Sequence, residues 1–252
     1  MKSNKISKVV DKIKSLIFPR NIKCIFCGDE LNNRSINDTC ENCINSLPFI
    51  QNACPRCGNP MNPEQTGVCL DCSRNNYYFV FCKSVFIYKD KVAGLVQRIK
   101  YNGEKFLIKS AAKYLINELS TSNISPDYVT NVPLFPSKEK ERGFNQSSLL
   151  GKYVANAFNL QFVELCEKVV NNPSQTSLSI SERKENVKDV YKLKQEYLKA
   201  VKNKVILVID DVFTTGATTN EICKILVEHG ARACYVLTLA HSVIDKDAFK
   251  DI

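Results

Sequence analysis

Only two histidines, His229 and His241, occur in the 252 residues. Histidine-based nucleophilic catalysis and histidine metal sites therefore have little material. No apolar run approaches the roughly 20 residues that a membrane-spanning helix needs. The amino terminus also lacks the apolar core of a secretory signal. Neither the G-x-G-x-x-G fingerprint of dinucleotide binding nor the Gly-Lys-Ser/Thr ending of a nucleotide P-loop is present. Aromatic residues seldom alternate with basic ones, apart from Phe144 and the Tyr77-Tyr78-Phe79 group, so no single-strand stacking platform stands out. The lack of a membrane span and of a secretory signal predicts a cytoplasmic protein.

Cysteine, by contrast, is abundant, with twelve in the chain. In a reducing compartment paired cysteines argue for metal rather than disulfides. Four C-x-x-C pairs occur: Cys24/Cys27, Cys40/Cys43, Cys54/Cys57 and Cys69/Cys72. Gly28 and Gly58 follow the first and third pairs, as a tightly turning zinc knuckle requires. Four thiolates suit a closed, structural tetrahedral Zn²⁺ site, and eight ligands imply two such ions. Iron–sulfur ligation is the rival occupant, since it uses the same soft donors. Grouping in sequence order, 24/27/40/43 and 54/57/69/72, is simplest, and an interleaved grouping stays open. The segment is expected to fold only with metal. Losing Cys54 should release zinc and loosen residues 50–76, yet spare the ligand site later in the chain. Cys82, Cys166, Cys223 and Cys234 lie outside the pairs and read as buried free thiols.

The formal net charge is +9, and the six Lys, one Arg and one Asp of residues 1–23 supply +6 of it. Ile6, Val9, Val10, Ile13, Leu16 and Ile17 fall at helical spacing among those lysines. This predicts a basic amphipathic helix over 1–20. Its apolar stripe is expected to pack on a neighbouring domain, with a membrane surface or nucleic acid as alternatives. A double zinc ribbon is expected over 21–76. From Tyr77 to 252 strand-like and helical stretches alternate, which predicts an α/β domain with a mostly parallel sheet flanked by helices.

Residues 204–219 carry the chemistry. Val205–Ile209 is a β-branched apolar run suited to a buried parallel strand. Asp210 and Asp211 follow it, and then the turn Thr214-Thr215-Gly216-Ala217-Thr218 leads into a helical pattern that stops at Gly230. A strand feeding a helix through such a turn aims backbone N–H groups, hydroxyls and the helix dipole at one spot, which makes an anion cup. Carboxylates beside it suit the hydroxyls of a sugar phosphate. The stretch resembles the phosphoribosyl pyrophosphate (PRPP) motif of type I phosphoribosyltransferases. That resemblance implies that Asp210 and Asp211 face the ribose hydroxyls while Thr214, Thr215, Gly216, Ala217 and Thr218 hold the 5-phosphate.

Val132-Pro133 runs into Lys138, Lys140 and Arg142-Gly143-Phe144-Asn145-Gln146, a strand end followed by bases placed to meet a diphosphate. An exposed, salt-bridged helix start explains the same bases equally well, because Glu139 and Glu141 alternate with them. The polar block Gln175–Asn186 reads as a loop able to close over a ligand, and Lys100-Tyr101-Asn102-Gly103 as a helix end. Cysteine pairs, Lys100-Tyr101, Val132-Pro133, Arg142–Gln146, Gln175…Arg183…Asn186 and Asp210–Thr218, taken in that order, resemble the ComF family. The resemblance implies a double zinc ribbon joined to a type I phosphoribosyltransferase-like domain, and a link to competence and DNA uptake. It also implies PRPP bound with Mg²⁺, with Pro133, Lys138 and Arg142 contributing to the site. The expected partners are PRPP or a related phosphosugar, and single-stranded DNA or the uptake machinery. Transfer to an acceptor that the sequence does not identify is one reading. A non-catalytic nucleic-acid-binding or PRPP-sensing module on the same fold is the other.

Overall fold

The computed structural model describes residues 23–32, 35–171 and 190–243. The expected amino-terminal helix and the Gln175–Asn186 block lie outside the described residues. The chain divides into two compact units, Met1–Leu47 and Pro48–Ile252. The division falls between the two four-cysteine groups, so each ribbon belongs to a different unit.

In the first unit Lys23 bridges Glu30, and Gly28 N–H returns to the Cys24 carbonyl at 2.9 Å, closing the knuckle turn. One helical turn, Glu41–Ile44, carries Cys43. The second unit repeats the device: Ala53 bridges Pro60, Gly58 N–H returns to the Cys54 carbonyl at 2.9 Å, and a turn at Leu70–Arg74 carries Cys72.

The rest of the second unit is built on a five-stranded parallel sheet. Its strands are β1 (Cys82–Ile87), β2 (Tyr128–Asn131), β3 (Gln161–Phe162), β6 (Val205–Phe213) and β7 (Ala233–His241), in the spatial order β1-β7-β6-β2-β3. A separate antiparallel pair joins β4 (Cys166–Lys168) to β5 (Tyr191–Leu193). Among the described residues five helices connect the strands: α1 (Asp90–Tyr101), α2 (Leu107–Ser120), α3 (Pro136–Arg142), α4 (Gln146–Ala157) and α5 (Ala217–Glu228).

The apolar run of β6 is buried from Val205 to Ile209 because helices and hairpin cover both faces. Side chains alternate across the sheet. Ile206 and Val208 share a core with Ile222 and Leu226 of α5, whereas Ile209 meets α4 at Gly151. The α5 side of this core also contains Cys54, Cys57, Tyr77 and Phe79. The second ribbon is thus packed into the sheet domain. Cys82, Cys166, Cys223 and Cys234 are all buried there as free thiols, as the sequence predicts.

Two element bounds differ from the sequence reading in a way that matters. The strand expected to stop at Ile209 continues through both acids to Phe213, because β7 runs beside it as far as His241. The strand whose end the sequence places at Val132-Pro133 stops at Asn131. In addition, Pro136–Arg142 is a helix, with Pro136 at its start and Gly143 capping it at φ +80°.

Candidate functional site

Where β2 stops and β6 runs on, the sheet opens. Val132 N–H still reaches the Ile209 carbonyl at 3.1 Å. Beyond it the Val132 carbonyl accepts from the Asn145 amide at 3.0 Å and the Asp211 N–H turns to Asp210 Oδ1 at 2.9 Å, so the β2–β6 ladder stops and, among the described residues, β6 has no strand on that edge from Asp210 onward. The chain leaves β2 toward β3 and leaves β6 toward β7, on opposite sides of this gap. Open α/β sheets take their ligands at such a switch point. The gap is the floor of a cleft of about 370 Å³.

Pro133, Lys138, Arg142, Asp210, Asp211, Thr214 and Thr218 all line this cleft, brought together from distant parts of the chain. Thr215, Gly216 and Ala217 build the loop behind the lining. The Thr215 hydroxyl accepts the Ala217 N–H at 3.3 Å, a local hydroxyl turn that leads into α5. Gly216 has φ +72°, and a Cβ there would stand 2.3 Å from the Phe213 ring. Thr218 is held by the Tyr191 side chain, which reaches over from β5. Neither histidine lines the cleft. The His229 ring bonds the Ile225 carbonyl, and His241 is buried against Phe213, where loss of solvent lowers its pKa to about 4.

The two acids differ in their surroundings. Asp211 is buried; its Oδ2 is paired with the Lys100 ammonium at 2.5 Å and its Oδ1 accepts from Gln146 Nε2 at 3.3 Å. Burial alone would raise its pKa, but the Lys100 charge and hydrogen bond outweigh burial and hold it low. Lys100 is raised in turn: burial opposes its charge, and Asp211 more than offsets that. Asp210 is half-buried, and its Oδ1 accepts from Ser147 Oγ at 2.8 Å and from the Asp211 N–H at 2.9 Å. Burial first and the Asp211 charge second push its pKa up to about 7.

Basic groups crowd the opposite wall. Arg142 donates to Gln146 Oε1 at 2.5 Å, and its guanidinium lies 5.7 Å over the Tyr101 ring. Lys138 faces Lys168 of β4, whose pKa is lowered by burial and then by the Lys138 charge. Like charges facing each other in a cleft favour an anion between them.

Lys100, Tyr101, Gln146, Ser147, Lys168 and Tyr191 line the site without having been assigned to it from the sequence. A signal for Gln146 and Ser147 was present: Asn145 is a helix cap accepting from the N–H groups of Ser147 (2.9 Å) and Ser148 (3.3 Å). Its amide also donates to the Val132 carbonyl at 3.0 Å, which ties the start of α4 to the end of β2. Lys168 and Tyr191 sit on three-residue strands, too short for any periodicity to register.

The cysteines assemble in sequence order. The Sγ atoms of Cys24, Cys27, Cys40 and Cys43, and those of Cys54, Cys57, Cys69 and Cys72, each lie within 4.8 Å of one another. The interleaved grouping is thereby excluded. Sγ–Sγ distances of 3.6 Å for Cys27–Cys40 and for Cys57–Cys69 match the edge of roughly 3.8 Å expected of a tetrahedron with Zn–S near 2.3 Å. The Cys69 N–H donates to Cys54 Sγ at 3.3 Å, the kind of support a bound thiolate receives. The donors fit structural zinc at both places.

Fold and site define a parallel α/β protein whose carboxyl edge presents paired acids, a threonine–glycine loop and a basic wall, joined to a double zinc ribbon. A family model described as a double zinc ribbon domain matches residues 13–73. The chain is 30% identical over 236 residues to competence protein ComFC of Streptococcus pneumoniae, covering 84% of this chain and 96% of that protein. It is 27% identical over 235 residues to competence protein F of Haemophilus influenzae, covering 88% and 98% respectively. The chain belongs to the ComF family. It is also 26% identical over 210 residues to the DNA utilization protein YhgH of Escherichia coli, covering 81% of this chain and 90% of that protein. Among solved structures it is similar to glutamine PRPP amidotransferase from Bacillus subtilis (21% identity, TM-score 0.36), over 53% of this chain and 26% of that one. The chain thus spans about a quarter of that enzyme. No helix among the described residues is long and apolar enough to cross a membrane.

Proposed function

We propose that the cleft binds PRPP, with Mg²⁺ carried on the sugar diphosphate, and that the protein serves DNA uptake in competence. The observation that carries this reading is the convergence of Asp210, Asp211, Thr214, Thr218, Pro133, Lys138 and Arg142 on one cleft of about 370 Å³. Thr214, Thr218 and the amino end of α5 take the 5-phosphate, where hydroxyl donors and the helix dipole act together. The acid pair accepts hydrogen bonds from the ribose hydroxyls. Lys138 and Arg142, with Lys168 opposite, take the diphosphate. Mg²⁺ brought in with the ligand would supply charge neutralisation to the diphosphate.

Should the chain turn PRPP over, the Asp210 side of the pair faces the positive charge that grows on the ribose as diphosphate departs, and the basic wall steadies the leaving group. The competence assignment is supported by the names of the relatives that match nearly the whole chain, competence proteins F and ComFC. Zinc in both ribbons is structural, and a cytoplasmic location fits a PRPP ligand.

Calorimetric titration of PRPP into the zinc-loaded protein, with and without Mg²⁺, tests the reading. Saturable binding that strengthens with Mg²⁺ supports it, and diphosphate release upon acceptor addition then decides between transferase and sensor. Absence of PRPP binding, together with salt-dependent binding of single-stranded DNA, would support the nucleic-acid module instead.

A further inference from the structure

We propose that Arg56, Asp71 and Tyr77 are positioning residues of the anion loop, so that zinc at the second four-cysteine cluster and a phosphate on the loop each strengthen the binding of the other. The proposal deepens the PRPP reading and rests on it for the loop being a phosphate site.

Both cysteine pairs of the second ribbon are tied to residues 77–82. Arg56 lies between the ligands Cys54 and Cys57. Its Nη2 donates to the Tyr77 carbonyl at 2.6 Å, and its own carbonyl accepts the Cys82 N–H at 2.8 Å. Asp71 lies between Cys69 and Cys72. Its Oδ2 accepts the Tyr77 hydroxyl at 2.5 Å, and its Oδ1 is fixed by Asn75 Nδ2 at 2.8 Å. Gly58 stands so close to β1 that a Cβ there would fall 2.7 Å from the Cys82 carbonyl oxygen. Four thiolates on one ion set the spacing of the two cysteine pairs, and with it the spacing of Arg56 and Asp71. Those two residues hold Tyr77 at its carbonyl and at its hydroxyl.

From residues 77–79 the contacts pass on to the loop. The Tyr77 hydroxyl lies 3.5 Å from the Thr215 carbonyl, and the Tyr78 N–H donates to Asn220 Oδ1 of α5 at 2.7 Å. Phe79 meets the Phe213 ring, against which Gly216 is seated. Tyr77 and Phe79 share one core with Cys54, Cys57 and Phe213. Without zinc the two cysteine pairs are no longer held together. Tyr77 then loses both anchors, and the N–H groups of the loop lose their aim. A loop that is competent for only part of the time binds with its affinity reduced by that fraction. Linkage makes the effect reciprocal, because the factor that zinc confers on phosphate binding is the factor that phosphate confers on zinc binding.

Chelator competition on the zinc-loaded full chain, with and without saturating ribose 5-phosphate, tests this. Ribose 5-phosphate offers the loop a phosphate without a diphosphate that would itself take up zinc. The second-cluster zinc is identified as the one missing from Cys54→Ser. If that variant does not fold, Cys27→Ser, which disables the first cluster, leaves the second to be read alone. Second-cluster zinc affinity should rise roughly tenfold with the sugar phosphate. In Tyr77→Phe, which keeps the ring and every thiol, that gain should shrink to about twofold. Asn220→Ala, which touches no ligand cysteine, should weaken second-cluster zinc by roughly two- to fivefold with no sugar phosphate present. Ribose 5-phosphate that binds and leaves zinc affinity unchanged overturns the proposal, as does a full gain in Tyr77→Phe. If ribose 5-phosphate does not bind, the phosphate reading of the loop fails, and Asn220→Ala decides the coupling alone. Weakened zinc in that variant then leaves the coupling of ribbon and loop standing, and native zinc affinity overturns it.

Discussion

The Tyr77 hydroxyl donates to Asp71 Oδ2 at 2.5 Å and lies 3.5 Å from the carbonyl of Thr215, at the hinge of the anion loop. Asp71 directly precedes the metal-ligating Cys72. The adjoining Tyr78 N–H donates to Asn220 of α5 at 2.7 Å. Phe79 stacks on Tyr77 at 4.7 Å and meets Phe213 edge-on at 6.1 Å, and Phe213 is the ring that leaves room for nothing larger than glycine at position 216. The second four-cysteine cluster is thus a buttress of the anion loop.

These contacts argue against the expectation that loss of Cys54 would spare the site. Cys54→Ser should weaken zinc binding at the second cluster and lower PRPP affinity by tenfold or more, read by zinc content and calorimetry on the same sample. Tyr77→Phe keeps the ring packing and removes one hydrogen bond of about 1 kcal/mol, so roughly a fivefold loss is expected. Full PRPP affinity in a Cys54→Ser protein that has lost one zinc would show the ribbon to be independent of the loop.

Gly216→Ala tests the loop from the other side. Positive φ costs an L-residue roughly 1 kcal/mol, and the new Cβ must also displace the buried Phe213 ring. A total of about 2–4 kcal/mol should lower Tm by roughly 5–10 °C. Gly143→Ala has a similar φ of +80° but nothing within 4 Å of the added carbon, so it should cost only the backbone part. Equal melting shifts for the two variants would remove the steric argument.

Much of this was legible beforehand. The four C-x-x-C pairs named all eight ligands, since local spacing brings the two thiols of each pair together, whereas the grouping of the pairs into two clusters is set by the fold. The Val205 run and the threonine–glycine turn identified strand, loop and helix, because β-branched burial and a positive-φ glycine are local demands. What stayed hidden is tertiary. Nothing in Lys100-Tyr101 says that its ammonium reaches an acid more than a hundred residues on, or that Gln146 joins that acid to Arg142. The hairpin bearing Lys168 and Tyr191 is too short to show a period. The extension of β6 through the acids depends on β7 running alongside, which a single segment cannot reveal.

Asp210 also makes a prediction about stability. Its folded-state pKa of about 7 lies above the roughly 3.9 of a free aspartate. Between those values the folded protein keeps a proton that the unfolded chain has shed. The contribution of Asp210 to stability is fully present below about pH 4 and is lost as pH rises through 7. Denaturant unfolding at a series of pH values should give a slope of unfolding free energy against pH that is more positive in Asp210→Asn than in the native protein. Parallel slopes between pH 4 and 7 would mean that Asp210 is ionised throughout.

Arg142 has three duties that a lysine cannot combine. It donates to Gln146, lies over the Tyr101 ring, and offers a fork of N–H groups to the cleft. Lysine keeps the charge but is a point donor with no flat face to stack. Arg142→Lys should therefore leave the salt dependence of diphosphate binding almost unchanged, since the number of charges is preserved. Affinity for inorganic diphosphate and for PRPP should nonetheless fall by roughly ten- to a hundredfold, as expected for loss of a bidentate charged pair. Arg142→Gln should show the same loss and a shallower salt slope as well. If Arg142→Lys binds diphosphate as the native protein does, the guanidinium serves the Gln146–Tyr101 scaffold alone, and the diphosphate contact passes to Lys138 and Lys168.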